Sequence, residues 1–338
     1  MNRPGGNRRI RIERSGAARV RRERARRFRR RNAPRPMHLT ERDVEVLEAL
    51  AVHRMLSGDQ LRRLVFGCSG SRVRRRLRTL YDHGFVERIS VTAQPARGIP
   101  PFVYELSAKG VEALGEIGVE AAKRGANGLS LQTVRHKLIV NDVYITLVEA
   151  TRDTRYSVRG WRHEQDLKLT GEDGGGRGRA ERVEHPTLEK PLSFLPDGYF
   201  ELDLGDGTSF AFFVEVDLAT HAQRVWRERA KLYTAYADPQ AGLFRRRFGR
   251  ETFRLAIVTT PDYRGRSRRN NILDSIGRTV GASPLFLAAT LDDLQAERIL
   301  GPVWKTPGRQ RPVRLTDNIG GGGVVVRPRR RTVVRSGE

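Results

Sequence analysis

Apolar residues recur every three to four positions in three successive segments of the first part of the chain, between residues 37 and 118. This spacing predicts three helices. The first begins at Thr40, a suitable N-cap with Asp43 three residues later, and ends near His53. Ser57 is placed to cap the second helix.

The third predicted helix, residues 69–83, combines one apolar stripe with a dense row of arginines. A buried helix needs only the stripe, whereas guanidinium groups suit the guanine edges and phosphates of a duplex groove. The pattern therefore predicts a recognition helix, and the alternative is an ordinary solvated arginine-rich face. The predicted DNA-contacting residues of this helix are Ser71, Arg72, Arg74, Arg75, Arg76 and Arg78.

Two strands and a further helix follow. Gly84 ends the third helix, and residues 85–91 and 102–106 are typical of strands around a Pro- and Gly-rich loop. Arg97 lies in that loop and is predicted to reach the DNA backbone or minor groove, while Ser107 caps the last helix. This order of elements predicts a winged helix-turn-helix over residues 37–118.

A second domain is predicted over residues 131–300, after a linker at 119–130. The pattern indicates a helix, three strands, a helix and a strand, at 134–149, 156–167, 196–202, 209–218, from Thr220, and 255–260. The last strand is apolar throughout, as expected for a strand buried on both faces. Residues 171–180 form a Gly-rich interruption, predicted to be a flexible surface loop. The predicted fold class is α+β, a winged helix-turn-helix followed by an α/β domain.

Acidic residues cluster on the predicted strands of this second domain. Asp197 follows a proline at the start of one strand, and Glu215 and Asp217 lie two residues apart on the next, hence on one face. With Glu164 as a further acid, these oxygens are candidate ligands for Mg²⁺, which can polarise a phosphate and generate hydroxide. The alternative is structural: Asp197 caps a turn, and the other two acids cap a helix or bind arginines.

The layout resembles the PD-(D/E)xK nuclease fold, with Asp197 as the Asp of the motif and Glu215 as its second acid. The resemblance implies that Asp197, Glu215 and a lysine are catalytic. Asp217 stands where the lysine of that motif belongs, so the candidate lysine is Lys231 on the following helix.

Both domains together resemble the replication-relaxation family of actinobacterial plasmids and mobile elements. The resemblance rests on LTERDVEVL (39–47), RRRLRTLY (74–81), Arg135-His136, Asn141-Asp142-Val143, PDG (196–198), FVEVD (213–217) and KLY (231–233). It implies a role in replication, copy control or mobilisation. His136 itself is open to two interpretations, as a polar site residue or as a histidine that packs a helix.

Charge is concentrated at the two ends of the chain. The formal net charge is +25, and residues 1–36 hold 15 arginines against two acids. Residues 301–338 are also basic and contain a four-glycine run. Both ends are predicted to be disordered, and arginine tails bind polyanions by releasing counterions. The alternative is a solubilising, arginine-rich composition.

Composition excludes some classes of protein. A single cysteine cannot form an intrachain disulfide, and no apolar run reaches the length of a membrane span or of a secretory signal. The expected location is the cytoplasm, without a membrane partner.

The resulting hypothesis is a sequence-directed DNA-binding protein with a degenerate nuclease-like domain. Its expected partner is double-stranded DNA, with a homodimer and plasmid replication or mobilisation proteins as further possible partners. The alternative hypotheses are a Mg²⁺-dependent endonuclease targeted by its winged helix, and an interaction protein whose arginines bind RNA or acidic partners.

Overall fold

The chain contains both helices and strands, and its larger sheet is mixed, which confirms the predicted α+β class. The computed structural model describes residues 28–67, 70–89, 102–122, 128–169, 178–219 and 222–317. The chain divides into two units, with the boundary between Val134 and Arg135.

The first unit has the predicted order of three helices, two strands and a helix, with an additional short strand and a π-helical turn between the first and third helices. Its elements are α1 (Glu41–His53), β1 (Leu56–Ser57), α2 (Gly58–Leu61), a π-helical turn (Arg62–Phe66), α3 (Gly70–Asp82), β2 (Val86–Arg88), β3 (Val103–Leu106) and α4 (Ala108–Glu116). The three strands form an antiparallel sheet in the order β1-β3-β2. The tip between β2 and β3, including Arg97, lies outside the described residues.

Short polar side chains set the helix boundaries of this unit. Thr40 and Asp43 form a capping box at the start of α1, and Ser57 accepts a hydrogen bond from the Gln60 amide at the start of α2. Gly84 follows α3 with a φ of 83°, a backbone conformation that favours glycine. The helix ends predicted at Thr40, Ser57 and Gly84 are therefore confirmed.

Residues 28–36 are packed against the first unit, which corrects the predicted disordered tail 1–36. The Arg30 guanidinium donates to the carbonyls of Tyr81 and Val86, at 2.7 and 3.2 Å, and forms a 2.8 Å ion pair with Glu87. The Phe28 ring meets the Phe102 ring edge-on. Arginine-rich composition alone indicated disorder, but these carbonyls and rings bind the segment. Residues 1–27 lie outside the described part of the chain.

The second unit contains the larger sheet. Its elements are α5 (Leu131–Thr151), β4 (Ser157–His163), β5 (Glu181–Val183), β6 (Leu192–Phe194), β7 (Gly198–Asp203), β8 (Ser209–Asp217), α6 (Gln223–Tyr236), α7 (Leu243–Phe248), β9 (Arg254–Thr259), α8 (Arg268–Val280) and β10 (Phe286–Thr290). The predicted series of helix, three strands, helix and strand corresponds to α5, β4, β7, β8, α6 and β9. Most of the predicted loop 171–180 lies outside the described residues.

The sheet is mixed, in the order β10-β9-β8-β7-β4. Strands β4, β7 and β8 pair antiparallel, whereas β8, β9 and β10 run parallel because helices α6 and α8 connect them. Strands and helices are thus combined in one layered unit, as predicted for an α/β second domain.

Each face of this sheet is covered by a separate apolar core. On one face Phe213 of β8 packs with Trp226 and Tyr233 of α6. On the other face Phe212 and Val214 pack with α5 and with residues 299–315. Alternate residues of β8 thus enter different cores, and the odd-numbered face is the one that continues into Glu215 and Asp217.

The end of the chain is folded further than the sequence indicated. Trp304 and Leu315 are each 1% exposed, and Arg254 donates hydrogen bonds to the carbonyls of Leu315 and Asp317. The predicted domain end at 300 and flexible tail from 301 are therefore wrong for residues 301–317, because apolar side chains anchor this basic segment. Residues 318–338 lie outside the described part.

No helix within the described ranges combines the length and the apolar character needed to span a membrane.

Candidate functional site

Helix α3 separates its residues into a buried side and an exposed side. Val73, Leu77, Leu80 and Tyr81 are at most 4% exposed and form the apolar stripe that the spacing predicts. The residues on the solvent side, called here the exposed row, are Ser71, Arg72, Arg74 and Arg75. Three guanidinium groups therefore project from a helix whose opposite face is held by the core.

Arg76 is not part of the exposed row. Its Nε donates to Asp43 Oδ1 at 2.6 Å, and its Nη2 donates to the His38 carbonyl at 3.2 Å. Burial raises the pKa of Asp43, but hydrogen bonds from Arg76 and Thr40 outweigh it and hold that pKa below its usual value. The predicted DNA contact of Arg76 is therefore replaced by a structural ion pair between α3 and the start of α1.

Arg78 is also directed into the protein. It donates from Nε to Asp82 Oδ2 at 2.9 Å and from Nη2 to the Arg29 carbonyl at 3.0 Å. Residues 28–31 lie against this part of α3, since the Arg31 amide donates to the same Asp82 carboxylate. The sequence predicted that Arg78 contacts DNA, because the pattern of α3 alone does not show that residues 29–31 lie beside this side chain.

In the second unit, the two acids at the end of β8 face helix α6. Glu215 is buried, and its two oxygens have different partners: Tyr233 Oη donates to Oε1 at 2.6 Å, and Arg229 donates to Oε2 at 2.5 Å. Burial raises the pKa of Glu215 to about 7, although the Arg229 charge and the Tyr233 hydrogen bond favour its ionised form.

Asp217 is fully buried and has donors on both carboxylate oxygens. Oδ1 accepts from the Ala219 amide at 2.7 Å, and Oδ2 accepts from Trp226 Nε1 at 2.6 Å and from Arg268 at 2.5 Å. This carboxylate therefore connects the end of β8 to α6 through Trp226 and to α8 through Arg268. Its role is the structural one that the sequence left open as an alternative.

Asp197 lies beside the same strand end, just before β7. Its Oδ2 accepts from the Val216 amide at 2.8 Å and lies 3.1 Å from His136 Nε2, which is also 3.1 Å from the Val216 carbonyl oxygen. Burial lowers the pKa of His136, but the hydrogen bond and charge of Asp197 outweigh it and raise that pKa above its usual value. His136 is therefore a polar member of this cluster.

The other two predicted site residues lie elsewhere. The Glu164 carboxylate is 3.7 Å from Lys137 Nζ and 3.9 Å from Lys168 Nζ, in an ion-pair group at the end of β4. Lys231 donates to Glu189 at 2.8 Å on the exposed side of α6. Lys231 is two residues after Arg229, so the helix directs it away from Glu215. Asp197 and Glu215 are close enough for the Asp197 charge to raise the pKa of Glu215, whereas Lys231 is paired with Glu189.

The family model described as replication-relaxation matches residues 47–249, more than half of the chain. This chain belongs to the replication-relaxation family. The family predicted from the sequence segments is thereby confirmed.

Comparison of this replication-relaxation protein with curated proteins gives no match. Two solved structures are similar to it: restriction endonuclease FokI, at 10% identity over 77% of this chain and 44% of that one, and FokI bound to DNA, at 11% over 83% and 49%. Both TM-scores are 0.25. The chain spans less than half the length of either endonuclease.

The carboxylates of this replication-relaxation protein do not fit a divalent metal ion. The oxygens of Glu215 and Asp217 already accept bonds from arginine, tyrosine, tryptophan or main-chain donors. Within the described ranges, no three His, Cys, Asp or Glu side chains are arranged to hold a metal. The predicted ligand set of Asp197, Glu215, Asp217 and Glu164 for Mg²⁺ is corrected accordingly, because protein donors occupy the site.

Sequence reasoning missed Arg229 and Tyr233 in this replication-relaxation protein, although a signal was present. The buried residues Trp226, Ala230 and Tyr233 mark the inner face of α6, and Arg229 falls on that same face. Arg229 and Tyr233 are four residues apart, so both can reach one carboxylate.

Proposed function

We propose that this protein binds a specific double-stranded DNA site through α3 and acts in plasmid or mobile-element replication, copy control or mobilisation, without cleaving the DNA. The proposal places the protein in the cytoplasm, where such DNA is found.

The exposed row is the observation that carries the proposal. Three arginines project on the solvent side of one helix, in a unit whose element order is that of winged helix-turn-helix proteins. Such a helix can enter the major groove, and arginine can donate two hydrogen bonds to one guanine. Arg76 and Arg78 have carboxylate partners, so the contacts proposed for this helix are Ser71, Arg72, Arg74 and Arg75, and Arg97 stays a proposed contact of the loop between β2 and β3.

The test compares two neighbouring arginines on the same helix. Arg75→Ala is expected to weaken binding to a duplex selected by the wild-type protein by about 1–3 kcal/mol, because a base contact is lost. It should leave the melting temperature unchanged. The measurement is fluorescence anisotropy with the selected duplex and with a random duplex.

Arg76→Ala is the matched control, since it also removes one positive charge from α3. It leaves the buried Asp43 without its ion pair, and the expected cost is on the order of 3 kcal/mol of folding stability. Its DNA affinity, measured on folded protein, should fall less than that of Arg75→Ala. If Arg75→Ala lowers the affinity for the selected and the random duplex equally, base recognition by α3 is contradicted. If RNA competes for the protein better than duplex DNA does, the RNA-binding alternative is supported.

The absence of cleavage is proposed from the chemistry of the acid cluster. Arg229 and Tyr233 donate hydrogen bonds to the two carboxylate oxygens of Glu215. Lys231, the candidate catalytic lysine, donates to Glu189 instead. A nuclease of this type needs free oxygens for a metal and a cation near the scissile phosphate. This cluster supports a structural role better than a catalytic one.

Supercoiled plasmid incubated with Mg²⁺ or Mn²⁺ tests this second part. Wild type, Asp197→Ala and Glu215→Ala are expected to give equal, negligible nicking. Metal-dependent nicking by the wild type that both variants lose would overturn the proposal and support the endonuclease alternative.

A further inference from the structure

The connection between β9 and α8 contains a tight turn at residues 263–266, called here the Tyr263 hairpin. The Tyr263 amide donates to the Arg266 carbonyl at 3.0 Å, and the Arg266 amide donates to the Tyr263 carbonyl at 2.9 Å. Arg264 and Gly265 between them both have a positive φ, 48° and 74°. Two successive residues of this kind are typical of the narrowest hairpin turns. The turn is therefore closed by its own main-chain hydrogen bonds.

An aromatic side chain projects from this hairpin into solvent. Tyr263 is 66% exposed, and it is the one exposed aromatic residue in the described part of the chain. The guanidinium carbon of Arg264 lies 5.1 Å from the centre of its ring, and Arg266 is also exposed. The hairpin therefore combines an accessible ring with two guanidinium groups on a closed turn.

The carboxylates next to the hairpin are held by an arginine of α8. Arg269 donates to Asp262 and to Asp293, each at 3.3 Å. Within the described ranges, neither Arg264 nor Arg266 forms an ion pair with a carboxylate. The surface around the tyrosine ring is therefore positively charged, which suits an anionic partner.

Arg264 stands at a backbone position that an arginine does not favour. A left-handed φ crowds the Cβ atom against the backbone, so glycine and asparagine are the usual residues there. Either of them would form the same turn with less strain. The guanidinium of Arg264 is therefore better explained by a contact outside the hairpin than by the turn itself.

We propose that the Tyr263 hairpin stacks against an unpaired base of single-stranded DNA. A tyrosine ring can lie on the face of a base only where neighbouring bases do not cover that face, as in a single strand. The Arg264 guanidinium can add to the stack, and Arg266 can bind phosphate. DNA rather than RNA follows from the proposed function, on which this part of the inference rests. The hairpin itself is separate from α3.

The place of the hairpin in the sheet supports a binding role. It follows the carboxyl end of β9, a strand that runs parallel to both of its neighbours. Loops at this edge of a parallel sheet commonly bind ligands in α/β domains.

The experiment measures fluorescence anisotropy of full-length protein with labelled oligo(dT) of about 16 nucleotides and with a labelled random duplex. A salt concentration of about 0.3 M weakens the phosphate contacts made by other arginines. Tyr263→Ala is expected to weaken oligo(dT) binding by about 5- to 150-fold, the loss of one stacked base, and to leave duplex binding unchanged. Tyr263→Phe retains the ring and should bind as the wild type does.

Arg264→Gly separates a binding role from a structural one. Glycine suits the positive φ, so the melting temperature should stay close to that of the wild type while oligo(dT) affinity falls. Arg278→Ala is the matched control for charge, because Arg278 is an exposed arginine in the last turn of α8, about 15 Å along the helix from its start. It should reduce oligo(dT) affinity less than Arg264→Gly does.

Equal affinities of wild type and Tyr263→Ala for oligo(dT) would overturn the inference. An equal loss on oligo(dT) and on the duplex would also overturn it, because stacking needs an unpaired base. Tighter binding of oligo(rU) that Tyr263→Ala abolishes would overturn the assignment to DNA. If Tyr263→Ala changes only self-association in sedimentation, the hairpin binds another copy of the chain and the inference is wrong.

These results are distinguishable from a failure of the proposed function. The hairpin is tested with a single strand and α3 with a selected duplex, so each variant has its own DNA. A loss of oligo(dT) binding in Tyr263→Ala supports the inference even if Arg75→Ala shows no base recognition by α3.

Discussion

Arginines of helix α3 differ in what their guanidinium groups contact. Arg75 is exposed to solvent, whereas Arg76, the next residue, reaches a carboxylate that is fully buried. A buried carboxylate without its partner is costly, so Arg76 contributes mainly to stability. Exposed arginines keep their donors available for phosphates and base edges. The chemical identity of the residue is the same, and its surroundings decide its role.

The buried Glu215 predicts a pH dependence of stability at the residue scale. Its pKa is raised from 4.5 to about 7 in the folded protein, so the folded state binds a proton more tightly than the unfolded state does. The contribution of this group to the free energy of unfolding is therefore present at low pH and lost as pH rises from about 4.5 to about 7. The expected loss is on the order of 3 kcal/mol.

Glu215→Gln has no titrating group at this position, so its stability should fall less over the same pH range. Urea unfolding of both proteins between about pH 5 and pH 8 measures the difference. Because the Glu215 charge also helps to raise the pKa of His136, the difference between the two proteins measures the titration of Glu215 together with its effect on His136. Parallel pH profiles for the two proteins would contradict the assignment.

At the scale of elements, the second unit depends on a segment without regular secondary structure. Residues 302–317 contribute Trp304, Val313 and Leu315 to the core on the α5 side of the sheet. Burial of side chains of this size contributes roughly 1.5–3 kcal/mol each. The buried Arg254 holds the end of the segment through two main-chain carbonyls. The segment is part of the fold, despite its Pro- and Arg-rich composition.

Two truncations test this role. A chain that ends at residue 317 should unfold at the same denaturant concentration as the full-length protein. A chain that ends at residue 300 should lose about 5 kcal/mol or more of stability, because three buried side chains and the Arg254 contacts are removed. Equal unfolding midpoints for the two truncated chains would show that the segment does not contribute.

At the scale of the whole molecule, the positive charge lies mostly at the chain ends. Residues 1–27 contain 11 arginines and two acids, and the next residues, 28–36, are anchored to the first unit through Arg30. If the protein binds DNA as proposed, the arginines of residues 1–27 are expected to add phosphate contacts that do not depend on base sequence. Specific recognition and general affinity are thus expected to reside in different parts of the chain.

Deletion of residues 1–27 is therefore expected to weaken binding to selected and random duplexes by the same factor and to flatten the dependence of affinity on salt concentration. Deletion of residues 1–36 should in addition lower the melting temperature, because the Arg30 contacts are lost. Affinity titrations over a series of salt concentrations, with melting curves for both truncated proteins, measure these effects. An unchanged salt slope after removal of residues 1–27 would contradict a role of these residues in binding phosphate.

The sequence alone determined the local structure of the first unit and of part of the second, whereas α7, α8 and β10 were not predicted. Caps such as Thr40 with Asp43, and Ser57, act within a few residues of themselves, and apolar periodicity reflects which face of an element is buried. These signals predicted α1 to α4, the sheet strands β7, β8 and β9, and the face shared by Glu215 and Asp217. The family segments were also visible in the sequence, because they are short and ordered along the chain.

Tertiary structure decided which charged side chains meet. The pairing of Arg76 with Asp43, and of Arg229 with Glu215, joins residues 33 and 14 positions apart. Such contacts depend on how the elements pack against each other. The periodicity of a sequence shows which face of an element is buried, but not which distant residue a charged side chain contacts. For the same reason, only the folded chain shows that residues 28–36 and 301–317 are bound, since single arginines and apolar side chains anchor them to surfaces formed by distant residues.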